Sequence, residues 1–245
     1  MKLNYCFANH IFEIETAFPY FHDFAKEYLT EEKPEFTLKT TKEEVEEWKS
    51  SHKDCDGFNL DYIETLVLHA KIASVLSLFD AFILHGSTIY VDEPKNAFVF
   101  TAPSGTGKST HVSILRKVYG NRINIINDDK PFLSYNSKDN TFDVFGSPWN
   151  GKERLSNNIS GSLKGIFVVK QAKTNKVSKL SPDEAVSKLI TQLYMPKGME
   201  ESKHSLKALA SLVKCIPIYI LEVNMSEEAG NTSFEVMLKL IEESK

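Results

Sequence analysis

The segment from Ala97 to Thr110 constrains the fold more than any other. The apolar run Ala97 to Thr101 leads into Ala102-Pro103-Ser104-Gly105-Thr106-Gly107, and Lys108-Ser109-Thr110 then open a helical stretch that reaches Tyr119. A strand feeding a helix through a glycine-containing turn gathers backbone N–H groups at the positive end of the helix dipole. A polyphosphate needs that arrangement, with glycines to let the chain come close and a lysine to reach the outer phosphates. Gly105, Gly107 and Lys108 supply these parts, and Ser104 and Thr106 complete the cradle. Ser109 is expected to set its hydroxyl on a Mg²⁺ that bridges the outer phosphates, with Thr110 at the inner phosphate. The strict spacing Gly-x-x-x-x-Gly-Lys-Ser/Thr would require glycine where this chain has Ala102. A turn that merely looks like such a loop is the alternative.

Around this segment the texture is that of an α/β protein with a mixed sheet. Beyond the helical stretch that ends near Ile83 the texture changes to strands, at Ser87 to Val91, Arg122 to Ile126, Pro131 to Tyr135, Thr141 to Phe145 and Gly165 to Val169. Several of these follow one another with no helix between, which excludes a simple alternating parallel sheet. Asp61 to Ile83 carries apolar residues at helical spacing and reads as a buried helix or a broken pair. The tail reads as helix (182–193), helix (205–213), strand (217–223) and helix (233–241). At the N-terminus, residues 3 to 16 read as a small hairpin, and the charged stretch that follows holds two capping-box spacings, Thr40 with Glu43 and Thr41 with Glu44, ahead of Val45 and Trp48. The organisation expected is an N-terminal α+β extension over 1–58 and a catalytic domain over 59–245.

Composition excludes several classes. With 29 basic and 33 acidic side chains the net charge is −4, so a basic protein that coats nucleic acid is excluded. The longest apolar stretch, Ala73 to Leu84, is interrupted by Ser74, Ser77 and Asp80 and is too short to cross a bilayer. The N-terminal residues lack the apolar run of a secretory signal. Cys6, Cys55 and Cys215 are odd in number and far apart, which fits a reducing cytoplasm. No nucleic-acid or membrane partner is expected, and a homo-oligomer is left open.

One strand after the glycine loop, Asn124 to Asn127 ends in two adjacent acids, Asp128 and Asp129. Phosphoryl transfer asks for charge neutralisation, alignment and a group that takes the acceptor's proton, and two neighbouring carboxylates divide those tasks. On an extended backbone they point to opposite sides, one to the metal's water shell and one to the acceptor; a capped turn is the alternative. His85 precedes Gly86 at the start of the first core strand. Of three arginines, Arg116 reads as helix surface and Arg122 precedes the strand of the acids, so Arg154, in the polar loop with Trp149, is the one expected to stabilise the transferring phosphate. A core role for Trp149 in an ordinary polar turn is the other reading.

His85-Gly-Ser-Thr-Ile-Tyr-Val, the loop ending in Gly-Thr-Gly-Lys-Ser-Thr110, and Ile-Ile-Asn-Asp-Asp129 together resemble the catalytic domain of HPr kinase/phosphorylase and its looser relatives, which share the nucleotide fold of phosphoenolpyruvate carboxykinase. The resemblance covers about residues 60 to 225. It implies ATP and Mg²⁺ as cofactors, Lys108 on the phosphates, Ser109 and Asp128 on the metal, and His85 paired with Asp129 as the acceptor-side base. The family's glutamate before an Arg-Gly segment is missing ahead of Lys164-Gly165, its Lys-Pro-Gly-Arg-Asn-like loop is not recognisable, and residues 1–60 lie outside the resemblance. The reaction implied is ATP-dependent transfer to a hydroxyl, with serine of a protein or peptide as the leading acceptor. A small-molecule hydroxyl acceptor and a nucleotide-gated switch without transfer are the alternatives. The first 60 residues, with exposed aromatics expected at Phe18, Tyr20, Phe21 and Phe24, are expected to select the acceptor, or else to cap the core beneath the helix.

Overall fold

The computed structural model describes residues 2–244. The chain opens on a hairpin of β1 (Lys2–Phe7) and β2 (His10–Glu15), whose turn residues Ala8 and Asn9 both take left-handed backbone conformations, φ 50° and 64°, as a tight hairpin requires. A short helix α1 (Tyr20–Phe24) follows, and β3 (Phe36–Lys39) returns parallel to β2. Helix α2 (Lys42–Ser51) is capped by the Thr41 hydroxyl, which accepts from the Glu44 backbone N–H. Of the two capping spacings only this one is used. Thr40 instead donates its hydroxyl to Glu64, a fully buried carboxylate that also accepts the N–H groups of Ala17 (2.6 Å) and Phe18 (3.2 Å).

Glu64 lies on α3 (Leu60–Ser77), whose N-cap is Asn59. The periodicity predicted continuous helix to Ile83 or a broken pair. The helix ends at Ser77, Asp80 turns the chain in a left-handed conformation (φ 57°), and the last three residues form strand β4 (Ala81–Ile83). All three are buried, so their apolar pattern fits a helix and a strand equally well.

Then come β5 (Ser87–Val91), β6 (Ala97–Thr101), α4 (Lys108–Tyr119), β7 (Ile123–Asn127), β8 (Phe132–Asn136), β9 (Thr141–Phe145) and β10 (Ser160–Gln171). The chain ends with β11 (Lys176–Lys179), α5 (Pro182–Leu189), α6 (Met199–Cys215), β12 (Ile218–Val223) and α7 (Glu227–Glu243). The main sheet is mixed and curled, in the order β4-β8-β9-β10-β6-β5-β7. The long strand β10 joins its two parts: its start pairs antiparallel with β9, and its remainder lies parallel to β6 on one side and to β12 on the other.

Both faces of the sheet's centre are covered, and alternation along the strands sorts the two cores. Ala97 and Val99 of β6, with Ile166 and Val168 of β10, enter the core that includes residues of α5 and α6. Phe98 and Phe100, with Phe167 and Val169, enter the core beneath α4 and α7. A third cluster joins the N-terminal sheet to the main one, since Tyr5, Phe7, Phe12 and Phe21 pack with Phe132, Phe145 and Trp149. The expectation of an exposed aromatic segment is corrected here. Phe21 is fully buried, Phe18 and Phe24 are partly buried, and Tyr20 alone of the four is exposed. Phe21 and Phe24 find more apolar surface to cover by packing on Trp149 than by facing water, and Phe18 packs against the cluster of Val45, Ile63 and Val67.

Among the described residues no helix is long and apolar enough to cross a membrane, and the three cysteines are unpaired.

Candidate functional site

Strand β6 ends beneath the glycine loop, and two left-handed glycines shape it, Gly105 at φ 77° and Gly107 at φ 104°. Side-chain-bearing residues rarely adopt these conformations. Gly107 caps α4 without any side-chain acceptor, and among the described residues the backbone N–H groups of Gly107, Lys108 and Ser109 find no backbone acceptor. Free donors at the positive end of a 12-residue helix are an arrangement able to hold an anion. Ser104, Gly105, Ser109 and Thr110 are exposed around it, with Thr106 half-buried. Lys108 is buried, and its ammonium turns back to donate to the Ala102 carbonyl at 2.8 Å. Burial pushes this ammonium below the usual lysine range, and Asp129 opposes that shift.

The two acids are separated by a residue not singled out from the sequence. Asn127, the last residue of β7, is fully buried; its Oδ1 accepts the N–H groups of Asp129 (2.9 Å) and Lys130 (2.6 Å), and its amide donates to the carbonyls of Ser147 and Trp149. The turn so fixed sends the carboxylates in different directions. Asp128 accepts the backbone N–H of Gly151 at 2.6 Å and of Leu155 at 3.3 Å, and shares a narrow cleft with Ser109 and Ser113 of α4. Burial pushes its carboxyl up, and the two N–H donors oppose this.

Asp129 faces the other way. Its Oδ1 lies 3.3 Å from His85 Nε2 and its Oδ2 lies 3.3 Å from the Lys130 ammonium. Burial pushes this carboxyl up, but His85 and Lys130 together outweigh burial and hold it at about 2. His85 is itself held by a residue 107 positions away: its backbone N–H donates to the Gln192 carbonyl, and its Nδ1 lies 3.0 Å from Gln192 Oε1. Gln192 Nε2 donates to Thr191 Oγ1, whose own proton goes to the Lys188 carbonyl. That chain of donors makes Oε1 the atom facing His85, so Nδ1 is the ring nitrogen that donates to Gln192 and Nε2 is the one turned to Asp129. Gly86 brings this histidine against the loop strand, for a β-carbon there would sit 2.9 Å from the Phe100 carbonyl oxygen.

The structure thus brings His85, Lys108, Ser109, Asp128 and Asp129 around the loop. Arg154 is exposed, takes a left-handed backbone conformation (φ 54°), and lines a neighbouring groove over β7 rather than the cleft of Ser109 and Asp128, whereas Arg116, read from the sequence as helix surface, lines both. Arg122 is engaged bidentately by Asp92. Trp149 belongs to the core, its indole N–H donating to the Thr65 carbonyl at 2.9 Å. Of the residues not anticipated, Lys130 was visible as the neighbour of Asp129, whereas nothing local marks Gln192.

Known proteins add little. No family model matches the chain, and no curated protein matches it. Among solved structures, the HPr(Ser) kinase/phosphatase from Coxiella burnetii is similar to it at 9% sequence identity and a TM-score of 0.37, covering 64% of this chain and 97% of that chain.

Proposed function

We propose that this protein transfers the terminal phosphoryl group of ATP to a hydroxyl, with serine of a protein or peptide as the acceptor class, from a phosphate-binding loop of the phosphoenolpyruvate carboxykinase and HPr kinase type. The observation that carries the reading is the division of the adjacent acids around the glycine loop, Asp128 toward Ser109 and Asp129 toward His85.

The donor set fits Mg²⁺. No group of three or more His, Cys, Asp or Glu side chains among the described residues is arranged to hold a metal alone. Magnesium at a nucleotide needs only one or two carboxylates besides phosphate oxygens and water, and Ser109 with Asp128 offers a hydroxyl and a carboxylate in one cleft. When bound, the ion neutralises charge on the outer phosphates. The free N–H groups of Gly107, Lys108 and Ser109 hold the phosphates, and the Lys108 ammonium swings from the Ala102 carbonyl to the transferring group. The acceptor oxygen bonds to the terminal phosphorus, the bond from that phosphorus to the bridging oxygen breaks, and ADP leaves with the electron pair. Asp129, ionised throughout the neutral range, orients the hydroxyl and takes its proton. A weak base suffices because a loose transition state releases that proton late.

Incubation with γ-labelled ATP, Mg²⁺ and a cell extract tests the proposal. Label in a macromolecule is expected. Label confined to a metabolite would overturn the acceptor class, and label found only as free phosphate would overturn transfer itself.

A further inference from the structure

Two of the chain's three arginines line one groove. Arg116 of α4 and Arg154 of the loop after β9 border an opening of about 390 Å³ over β7. Arg122, the third, is engaged by Asp92, whereas Arg116 and Arg154 are exposed and pair with no carboxylate among the described residues. Among the described residues no Asp or Glu lines the groove. In a chain of net charge −4, two unpaired guanidiniums on one concave surface set a local field that draws anions.

Arg154 holds its place at a cost. Its φ of 54° lies in the left-handed region, which glycine enters freely and a side-chain-bearing residue does not. The Arg154 N–H closes this turn on the Gly151 carbonyl at 3.1 Å, and the N–H groups of Gly151 and Leu155 on either side donate to Asp128. The loop is thereby pinned to the candidate site, and Arg116, Ile125 and Leu155 line both the groove and the cleft of Ser109 and Asp128. Asn157 closes the edge of β7, donating its backbone N–H to the Ile126 carbonyl at 2.9 Å and its side-chain amide to the Ile125 carbonyl at 2.7 Å. With those carbonyls taken, recognition in the groove falls to side chains rather than to an added strand.

We infer that the groove docks an acidic stretch of the acceptor chain, with Arg116 and Arg154 engaging its carboxylates. The inference rests on the phosphoryl-transfer reading. A guanidinium fork matches a carboxylate two bonds at a time. Ile125 and Asn124 in the floor lie four and five residues before Asp129, roughly 13–17 Å of extended chain. An acceptor that places its serine at Asp129 therefore brings residues four or five positions away over the two arginines. A nucleic acid fits less well, because a phosphate backbone is held by many cations along a stripe and this groove offers two.

Fluorescence anisotropy with two labelled peptides tests it, one of sequence Glu-Glu-Ala-Ala-Ala-Ser-Ala-Ala-Ala-Glu-Glu and one with Gln in place of every Glu. The acidic peptide is expected to bind about tenfold or more tighter at low salt, and about 1 M salt should remove the difference. Arg116→Gln and Arg154→Gly are each expected to weaken the acidic peptide about threefold or more. Arg154→Gly should also melt no lower than the wild type, since glycine accepts φ 54° without strain, which separates lost docking from lost folding. In excess, the acidic peptide should suppress transfer of label from γ-labelled ATP into extract protein. Equal binding of the two peptides, or full affinity in both variants, would overturn the groove, and so would single-stranded RNA that binds tighter than the acidic peptide. A bound peptide that leaves transfer unchanged would overturn docking of the acceptor there. Absence of label from every macromolecule would overturn the transfer reading itself, while anisotropy still reports whether the groove holds an acidic chain.

Discussion

Replacing Asp129 by Asn tests the acceptor side of the site through stability as well as activity. The carboxyl is held at about 2 against an ordinary 3.8, and at about 1.36 kcal/mol per pH unit this amounts to roughly 2 kcal/mol of folding free energy carried by the charge. The folded value is depressed, so the contribution is fully present above pH 3.8 and fades as the pH falls toward 2. Asp129→Asn is therefore expected to lower the melting temperature at pH 7 by about 4–8 °C for a chain of this size. The gap to the wild type should hold from pH 7 to pH 5 and shrink below pH 4. Transfer should fall by a factor on the order of 10² or more while ATP affinity is retained. Thermal unfolding followed by circular dichroism across that pH range, beside a transfer assay, reads both effects. A variant that melts with the wild type at pH 7 would refute the pairing of Asp129 with His85 and Lys130. Asp128 gives the opposite sign: its carboxyl is pushed up by burial, so its charge costs stability at neutral pH and the cost fades on acidification.

Lys108→Ala is expected to weaken ATP binding about 10- to 150-fold, the scale of a lost charge-assisted hydrogen bond, and to leave the circular dichroism spectrum unchanged because Ala102 loses a single donor. Ser109→Ala should raise the Mg²⁺ concentration needed for nucleotide binding several-fold, read from a metal titration; an unaltered titration removes it as a ligand. Glu64→Gln puts an NH₂ group against donors that now meet a carboxylate, and should cost about 1.5–3 kcal/mol, measured by denaturant midpoint. Phe24→Ala should lower the melting temperature and every activity together, because its ring lies 5.9 Å from Trp149, whereas Tyr20→Ala, at an exposed position, should leave the melting temperature unchanged.

The sequence by itself determined the parts whose cause is local. Strand, glycine turn and helix over Ala97 to Tyr119 follow from a short continuous apolar run, from the left-handed backbone that Gly105 and Gly107 allow, and from helical spacing beyond Lys108. The hairpin at Ala8-Asn9 and the Thr41 cap are local in the same sense. Only the tertiary structure decided which way the functional groups face. Asn127 separates the two acids because Ser147 and Trp149 hold its amide, and Gln192 orients His85 from 107 residues away. The same holds for Phe21, whose ring is covered by Trp149 from the loop after β9, and for residues 81–83, helical in pattern but paired with β8 as a strand. Spacing along a chain records which residues share a face of one element. It carries no record of the distant donors, acceptors and apolar surfaces that fix a side chain's direction, since those partners become neighbours only when the elements pack.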